Sequence, residues 1–299
     1  MPMALYNLSP RPIRRESWRS ACPPAALVAL ALVVLFSVPA SPLVADDARA
    51  PSPAAGDGDL QRVLDRGALR MLCVPNQENP FIRTNLDAGP MKRVGGIDAF
   101  SGYDVEILSL VAQELGVKLQ IVPALSDEGL PSYPHLIPAL LAGEGDIIAS
   151  SFSVTDERQR KISFSEPYWR SRVAVVVRKD RTDIRSVDDL AGLKASVLPG
   201  SSHSEFLDTL PGIRRVEVDL GIESYEAVSD GRADFLLDDY QGSQPGFMRF
   251  TDDLQIAFDL PLEDSYALGL RPGSDLLDRI NGVLQELRDS GHLGAIFEE

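Results

Sequence analysis

Hydrophobic positions beyond residue 60 occur in two patterns along the chain. Short unbroken apolar runs predict strands, and apolar residues three or four positions apart predict helices. Predicted strands lie at 69–74, 118–122, 146–150, 172–178, 195–198, 215–218, 233–237 and 266–270. Predicted helices lie at 104–115, 136–142, 156–161, from 202, at 225–230 and at 275–290. This alternation is typical of α/β proteins with mostly parallel sheets and helices on their faces.

The first 59 residues follow a different pattern. Four arginines precede an apolar run at 25–38, and small residues and prolines follow up to Ala45. This order is typical of an export signal, and the run is shorter than the ~20 residues that a membrane-spanning helix needs. We expect residues 1–45 to be a signal peptide and residues 46–59 to be a linker, with an uncleaved membrane anchor as the alternative.

The composition is that of a globular protein with an acidic surface. The chain has 299 residues, of which 44% are hydrophobic and 24% charged, enough for a substantial core and roughly two domains. The formal net charge is −15, and residues beyond 45 hold 25 basic and 43 acidic side chains. Such a surface repels phosphate backbones and anionic lipid, which argues against nucleic acid or a membrane surface as a partner.

Cysteine and histidine usage predicts no metal site, no cofactor and no catalytic residue. Removal of residues 1–45 would leave Cys73 as the one cysteine, inside a predicted strand, where a buried apolar role is expected. His135, His203 and His292 show no metal-ligand spacing. The chain also shows no nucleophile elbow, phosphate-binding loop or dinucleotide motif.

The stretch at 150–158 places hydroxyl groups, a helix start and one arginine at the end of a predicted strand. Thr155 is the predicted N-cap of the following helix. Backbone N–H groups at the positive end of that helix would lie beside Arg158, so the stretch is expected to bind a small carboxylate. In the alternative interpretation, Thr155 caps a surface helix and Arg158 pairs with an acid in solvent.

Eight short segments carry a family resemblance. They are GYDVEI at 102–107, LIPAL at 136–140 with Gly143 and Asp146, SSFSVTDER at 150–158, FSEPY at 164–168, residues 186–192, GSS at 200–202, GRAD at 231–234, and residues 266–291. In this order and spacing they resemble the family 3 extracellular solute-binding proteins, the periplasmic amino-acid-binding components of ABC transporters.

The resemblance covers about residues 60–299 and implies an α/β clamp of two lobes. Each lobe would contain a mostly parallel sheet flanked by helices. Lobe 1 would comprise residues 60–168 and, after the chain returns, 266–299. Lobe 2 would comprise residues 172–264. The two crossing segments between the lobes would form a hinge about which the clamp closes.

The resemblance also implies a set of ligand-binding residues. At the carboxylate end of the ligand, Arg158 matches the arginine that holds the α-carboxylate, and Ser151 and Ser153 match donors to the same group. Ser202, at a predicted capping box in lobe 2, matches a further donor. In this interpretation both lobes contribute to the binding of one carboxylate.

At the other end of the ligand, Ser150 matches a position whose main-chain carbonyl faces the α-ammonium group. Asp239 matches the acid that binds this ammonium, and Asp238 is the alternative if the register is shifted by one residue. Tyr133 matches a position that lines the side-chain pocket. Glu78 is a candidate partner for a cationic ligand side chain, or else an ordinary surface glutamate.

Physical chemistry supports a clamp of this kind. Burying either charge of an amino acid without a partner costs several kcal/mol, so the site must offer a cation and an anion. Arg158 and Asp239 would supply them from different lobes, so the ligand would stabilise the closed clamp.

We therefore expect an exported, monomeric, non-catalytic protein that binds a polar or basic amino acid and delivers it to an inner-membrane ABC permease. One alternative is an enzyme of the same fold, such as a cyclohexadienyl dehydratase. The other is a binding subunit that serves a sensor or an exported dehydrogenase.

Overall fold

The computed structural model describes residues 58–74, 79–84, 100–239 and 244–298. The predicted signal peptide at 1–45 lies outside these residues. The predicted linker at 46–59 reaches them only at Gly58 and Asp59, which form the start of the first helix. Within the described ranges, no helix has both the length and the apolar character that crossing a membrane requires.

Helices and strands alternate along most of the chain. The helices are α1 (Asp59–Arg66), α2 (Tyr103–Glu114), α3 (Leu136–Leu141), α4 (Asp156–Gln159), α5 (Ser202–Leu207), α6 (Gly221–Ser229), α7 (Gln244–Met248), α8 (Leu276–Asp289) and α9 (His292–Glu298). The strands are β1 (Ala68–Cys73), β2 (Arg83–Thr84), β3 (Phe100–Ser101), β4 (Lys118–Pro123), β5 (Ile147–Ile148), β6 (Ser163–Phe164), β7 (Trp169–Arg178), β8 (Lys194–Val197), β9 (Arg214–Glu217), β10 (Phe235–Asp239), β11 (Leu254–Tyr266) and β12 (Gly269–Leu270).

The strand predicted at 266–270 is wrong in one respect, because two strands meet there. Strand β11 ends at Tyr266, and the short strand β12 begins at Gly269. Most of β11 was not predicted, because this strand lies at the edge of its sheet and most of its residues are only partly buried. An edge strand of this kind lacks the unbroken apolar run of a central strand.

The first sheet belongs to lobe 1 and has the strand order β4-β1-β5-β12-β6. Strand β1 pairs in parallel with β4 and β5, whereas β12 pairs antiparallel with β5 and β6. Along β1, Leu69 and Met71 pack into a cluster with α2 and α8, while Leu72 and Val74 face α3. Burial on both faces explains the unbroken apolar run of β1.

The second sheet belongs to lobe 2 and has the order β11-β7-β10-β8-β9. Strands β10, β8 and β9 are parallel, and β7 is antiparallel to both β10 and β11. Both sheets are therefore mixed, where mostly parallel sheets were expected. The antiparallel pairings involve β6, β7, β11 and β12, the strands on either side of the two places where the chain passes between the lobes.

The two lobes are joined by the paired ends of β7 and β11. Here Trp169 lies opposite Tyr266, Arg170 opposite Ser265, and Ser171 opposite Asp264. Both crossing segments are thus part of one antiparallel ribbon. A ribbon of this kind holds the lobes in register and can bend about a few residues.

A buried ion pair ties the first helix to the returning end of the chain. Asp59 is fully buried and accepts hydrogen bonds from Arg271 Nη2 at 2.6 Å and Ser274 Oγ at 2.7 Å. Burial alone would raise the pKa of Asp59, but these hydrogen bonds and the Arg271 charge hold it below its usual value. Arg271 Nη1 also donates to the carbonyls of Leu140 and Gly145, at 3.0 and 2.9 Å.

We expect Asp59→Asn to lower the free energy of unfolding by about 3–5 kcal/mol, because it removes the carboxylate that pairs most closely with the buried Arg271 guanidinium. Urea unfolding measures this change. Asp65→Asn, on the exposed side of the same helix, is the matched control and should change the free energy by less than about 0.5 kcal/mol. Equal losses in the two variants would contradict a stabilising role for the ion pair.

Candidate ligand-binding site

The cleft lies where each sheet reverses its strand order. In lobe 1, β4 and β5 flank β1 on opposite sides, so a crevice opens at the carboxyl ends of β1 and β5. Residues 150–158 follow β5 at this point. The Val74 N–H donates to Ser150 Oγ at 3.0 Å and ties the two strand ends together.

Ser151 has a left-handed backbone, with φ of 43°. This conformation is uncommon for a residue other than glycine and needs support from its surroundings. The Ser151 N–H donates to Asp104 Oδ2 at 2.7 Å, and Ser151 Oγ accepts from Asn79 Nδ2 at 3.1 Å. Asp104 is fully buried and also accepts from the Tyr168 hydroxyl at 2.6 Å. Asp104 therefore holds the turn that presents the serine-rich stretch.

Arg158 is buried, with 4% of its surface exposed, at the contact between the lobes. Thr155 Oγ1 accepts from the Arg158 N–H at 3.2 Å, as the predicted N-cap requires. The guanidinium donates to the carbonyls of Ser153 at 2.9 Å and Gly200 at 3.0 Å, and Nε lies 3.2 Å from Glu205 Oε1. The alternative of a solvent-exposed Arg158 is therefore wrong.

Neighbouring residues on both lobes stabilise the positive charge of Arg158. Burial lowers the pKa of Arg158, and the Glu205 carboxylate opposes that shift. Its guanidinium carbon lies 4.2 Å from the centre of the Phe152 ring, a cation–π contact. The contacts with the described residues use three of the five N–H donors of a guanidinium, so two donors remain for a ligand.

In lobe 2, the strand order reverses between β8 and β10. Their carboxyl ends, with the first residues of α5 and α6, form the second wall of the cleft. The predicted capping box at Ser202 is wrong by one residue, because Ser201 Oγ accepts the Ser204 N–H at 3.1 Å. Ser202 does not serve as the cap, and its hydroxyl faces lobe 1.

Asp238 and Asp239 end β10 and point to opposite faces of the sheet, as alternation along a strand requires. Asp239 Oδ1 lies 3.3 Å from His203 Nε2, at the start of α5. Asp238 accepts a hydrogen bond from the Tyr225 hydroxyl of α6, on the other face. Burial lowers the pKa of His203, but the charge and hydrogen bond of Asp239, together with the charges of Asp264 and Asp238, raise it to about 9, so His203 is protonated at neutral pH.

Asp264, in the ribbon that joins the lobes, was not predicted as a site residue. Its Oδ2 lies 2.7 Å from Ser153 Oγ and 3.4 Å from Ser202 Oγ, and the two hydroxyls lie 3.0 Å apart. Burial and the Asp239 charge raise the pKa of Asp264 to about 6. Asp264 thus bridges the two lobes through the serines that were expected to bind a carboxylate.

One cavity of about 120 Å³ is lined by residues of both lobes. Six predicted site residues line it: Tyr133, Ser151, Ser153, Arg158, Ser202 and Asp239. Ser150 lies behind them, where its hydroxyl also bonds to Tyr133, and burial raises the pKa of Tyr133 to about 12. Glu78 lies outside the described residues.

Three side chains could hold a metal ion. One donor atom each from His203, Asp239 and Asp264 lies within 4.8 Å of the others. The spacing of the histidines in the sequence did not indicate this group, because its members come from α5, β10 and β11. The same residues also form the ion pair and the lobe contacts of the cleft.

Sequence reasoning did not assign several polar residues of the cleft region, among them Ser196, Glu205 and Asp264, and it named Asp238 only as an alternative to Asp239. Glu205 pairs with Arg158 across the cleft. None of these residues is marked by a local pattern, since each role depends on an element that is distant in the sequence.

Asp104 is expected to make the stability of the folded state depend on pH. Burial raises this pKa to about 7, so between about pH 4 and pH 7 the native state holds a proton that the unfolded state releases. Stability from this group therefore falls as the pH rises through that range. As the pH rises from 5 to 8, we expect the free energy of unfolding to fall less for Asp104→Asn than for the wild type. Urea unfolding measures this change. The control is Asp127→Asn, at an exposed aspartate, and equal pH dependence in all three proteins would contradict the assignment.

The chain is similar in sequence to known proteins. Residues 82–299 match the model of the bacterial extracellular solute-binding proteins, family 3. The L-cystine-binding protein TcyA from Bacillus subtilis (strain 168) is 27% identical over 277 residues, which is 92% of this chain and 96% of the relative.

Solved structures confirm the predicted two-lobed α/β clamp. Holo ArgBP from T. maritima is 28% identical, with a TM-score of 0.65 over 80% of this chain and 98% of its own. An ancestral arginine-binding protein bound to arginine is 26% identical, with a TM-score of 0.67 over 78% of this chain and 97% of its own. The chain belongs to the bacterial extracellular solute-binding proteins of family 3.

Proposed function

We propose that this protein binds a free amino acid between its lobes and delivers it to an ABC permease. The observation that carries this proposal is the placement of Arg158 and Asp239. These two residues of opposite charge, one from each lobe, line the same cavity. An amino acid is the small molecule whose two ends such a pair neutralises.

At the carboxylate end, Arg158 offers its remaining N–H donors beside the hydroxyls of Ser153 and Ser202. These hydroxyls contact Asp264 Oδ2 at 2.7 and 3.4 Å, so a ligand carboxylate competes with Asp264 for them. At the ammonium end, Asp239 accepts a charge-assisted hydrogen bond, together with the main-chain carbonyl of Ser150. Each charge-assisted bond contributes about 1.5–3 kcal/mol, so a few of them support micromolar affinity.

Binding without catalysis is the role proposed for the cleft. Support comes from the compared proteins, which are named as binding proteins, and from the placement of Arg158 and Asp239, which suits the two ends of an amino acid. A cyclohexadienyl dehydratase would convert prephenate or arogenate to a phenyl product. The absence of such a product after incubation with this protein is the expected result.

We also propose that the protein is exported and that its partner is a permease. The order of charged, apolar and small residues at 1–45 supports export by a signal peptide, and the family contains extracellular proteins. We propose a periplasmic monomer that docks on an inner-membrane permease. The polar or basic class of the ligand is supported by the acidic cleft and by the arginine-bound neighbour.

We expect at least one of the twenty amino acids, ornithine or citrulline to raise the melting temperature of the wild type, because a ligand that binds only the folded state stabilises it. Arg158→Gln and Asp239→Asn should each lower the affinity for that ligand by at least about 30-fold, because each leaves a ligand charge buried without its partner. Isothermal titration calorimetry measures the affinity. Arg160→Gln, two residues further along the chain and exposed, is the control and should bind like the wild type. Unchanged affinity in both site variants would refute the proposal.

Gly200 tests whether binding requires the lobes to approach. A Cβ atom there would lie 2.8 Å from the Pro134 ring of lobe 1, and φ is +70°. We expect Gly200→Ala to weaken ligand binding by about tenfold, or ~1.4 kcal/mol, because the methyl group opposes contact between the lobes. Gly192→Ala is the matched control, since it has a similar φ of +75° but nothing within 4 Å of the new Cβ. Similar affinities in the two variants would show that closure does not limit binding.

A further inference from the structure

Strand β10 carries a second carboxylate that the binding of the two amino-acid ends does not use. Asp238 is 9% exposed and lies on the face of the sheet that packs against α6. The Tyr225 hydroxyl donates to its Oδ2. An ionised carboxylate at such a buried position is costly unless charge or hydrogen bonds compensate it.

The neighbouring strand places an unsatisfied hydroxyl on the same face. Ser196 of β8 is paired with Leu236 of β10, and Asp238 follows Leu236 by two residues, so all three side chains share one face. Ser196 is 3% exposed, and its Oγ has no hydrogen-bond partner among the described residues. A buried hydroxyl without such a partner is rare in native proteins, and it can accept a hydrogen bond from a group that enters the cavity.

Both groups line the cavity that also contains Arg158 and Asp239. On this side the lining consists of Ser196, Ser224, Tyr225 and Asp238, which we call the lobe 2 polar pocket. Gly221 begins α6 beside it and has no side chain to fill the space. The cavity therefore continues from the two charged residues of the cleft toward the polar face of β8 and β10.

We propose that the lobe 2 polar pocket binds the distal cationic group of a basic amino acid, an ammonium or a guanidinium. This inference rests on the proposed function, because Arg158 and Asp239 must first hold the two ends of the ligand. A cation supplies donors to the Asp238 carboxylate and to the Ser196 hydroxyl, which both accept hydrogen bonds.

The pocket also disfavours other side chains. An acidic side chain would meet the repulsion of Asp238, Asp239 and Asp264, which lie on the same part of the cleft and its hinge. An apolar side chain would leave the Ser196 hydroxyl and the Asp238 carboxylate buried against carbon. Selectivity of this kind comes from the cost of burying polar groups against carbon more than from shape.

The rival carboxylate for a cationic side chain is Glu78, which the sequence analysis assigns to lobe 1 and which lies outside the described residues. The two assignments differ in a measurable way, because removing one negative charge should abolish the preference for a cation only where that charge contacts the ligand. Arginine and citrulline make a suitable pair of probes, since they have nearly the same shape and differ in the charge of the distal group.

The experiment measures the affinity ratio of arginine to citrulline by isothermal titration calorimetry. We expect the wild type to prefer arginine, and Asp238→Asn to reduce the ratio by about 10-fold or more, the value of a charge-assisted hydrogen bond. Ser196→Ala should reduce the ratio by a smaller factor without loss of melting temperature, since its hydroxyl bonds to none of the residues that the structure describes. Asp259→Asn, on β11, is a control in which the ratio should not change.

The affinity ratio of arginine to citrulline separates a change in selectivity from a general loss of structure, because a poorly folded variant binds both ligands more weakly by the same factor. A wild-type ratio near one, or a ratio that Asp238→Asn leaves unchanged, overturns the inference while amino-acid binding itself still supports the proposed function. A ratio that collapses in Glu78→Gln but not in Asp238→Asn also overturns it and assigns the side chain to lobe 1. If the wild type binds neither probe nor any other amino acid, the proposed function fails as well.

Discussion

The buried guanidinium of Arg158 is the interaction on which the arrangement of the cleft depends. A permanently charged group that is 4% exposed must be surrounded by acceptors, and here they come from both lobes: the Ser153 carbonyl, the Gly200 carbonyl and the Glu205 carboxylate. The cost of leaving any of these groups unpaired favours contact between the lobes. The same constraint keeps the guanidinium in the cleft, where the proposed ligand carboxylate would bind.

Opposite this cation, the cleft contains more negative charge than one ligand ammonium needs. Asp239 is paired with His203, Asp264 bridges the two serines, and Asp238 lies behind them on the other face of β10. Burial and the charge of Asp239 raise the pKa of Asp264 to about 6. A cation in the cleft would reduce the repulsion between these carboxylates, in agreement with the basic ligand proposed above.

Strand geometry decides which of these groups can reach one ligand. The side chains of Asp238 and Asp239 lie on opposite faces because adjacent residues of a strand alternate, so the two carboxylates have different neighbours, Tyr225 and His203. In lobe 1, the left-handed backbone of Ser151 depends on Asp104, a residue 47 positions earlier in the chain. The site is thus built where strand order reverses in each lobe, from elements that are not neighbours in sequence.

Local patterns in the sequence predicted six of the nine described helices, the central strands, the N-cap at Thr155 and the cation at Arg158, because periodicity and capping depend on neighbouring residues. Helices α1, α7 and α9 were not predicted. They also carried the family resemblance, from which the two-lobed fold followed. Only the tertiary structure decided that Glu205 pairs with Arg158, that Asp264 joins Ser153 to Ser202, and that the Ser196 hydroxyl is buried with no hydrogen-bond partner among the described residues. These contacts join residues up to 111 positions apart, and no short-range pattern records which distant side chains share a buried space.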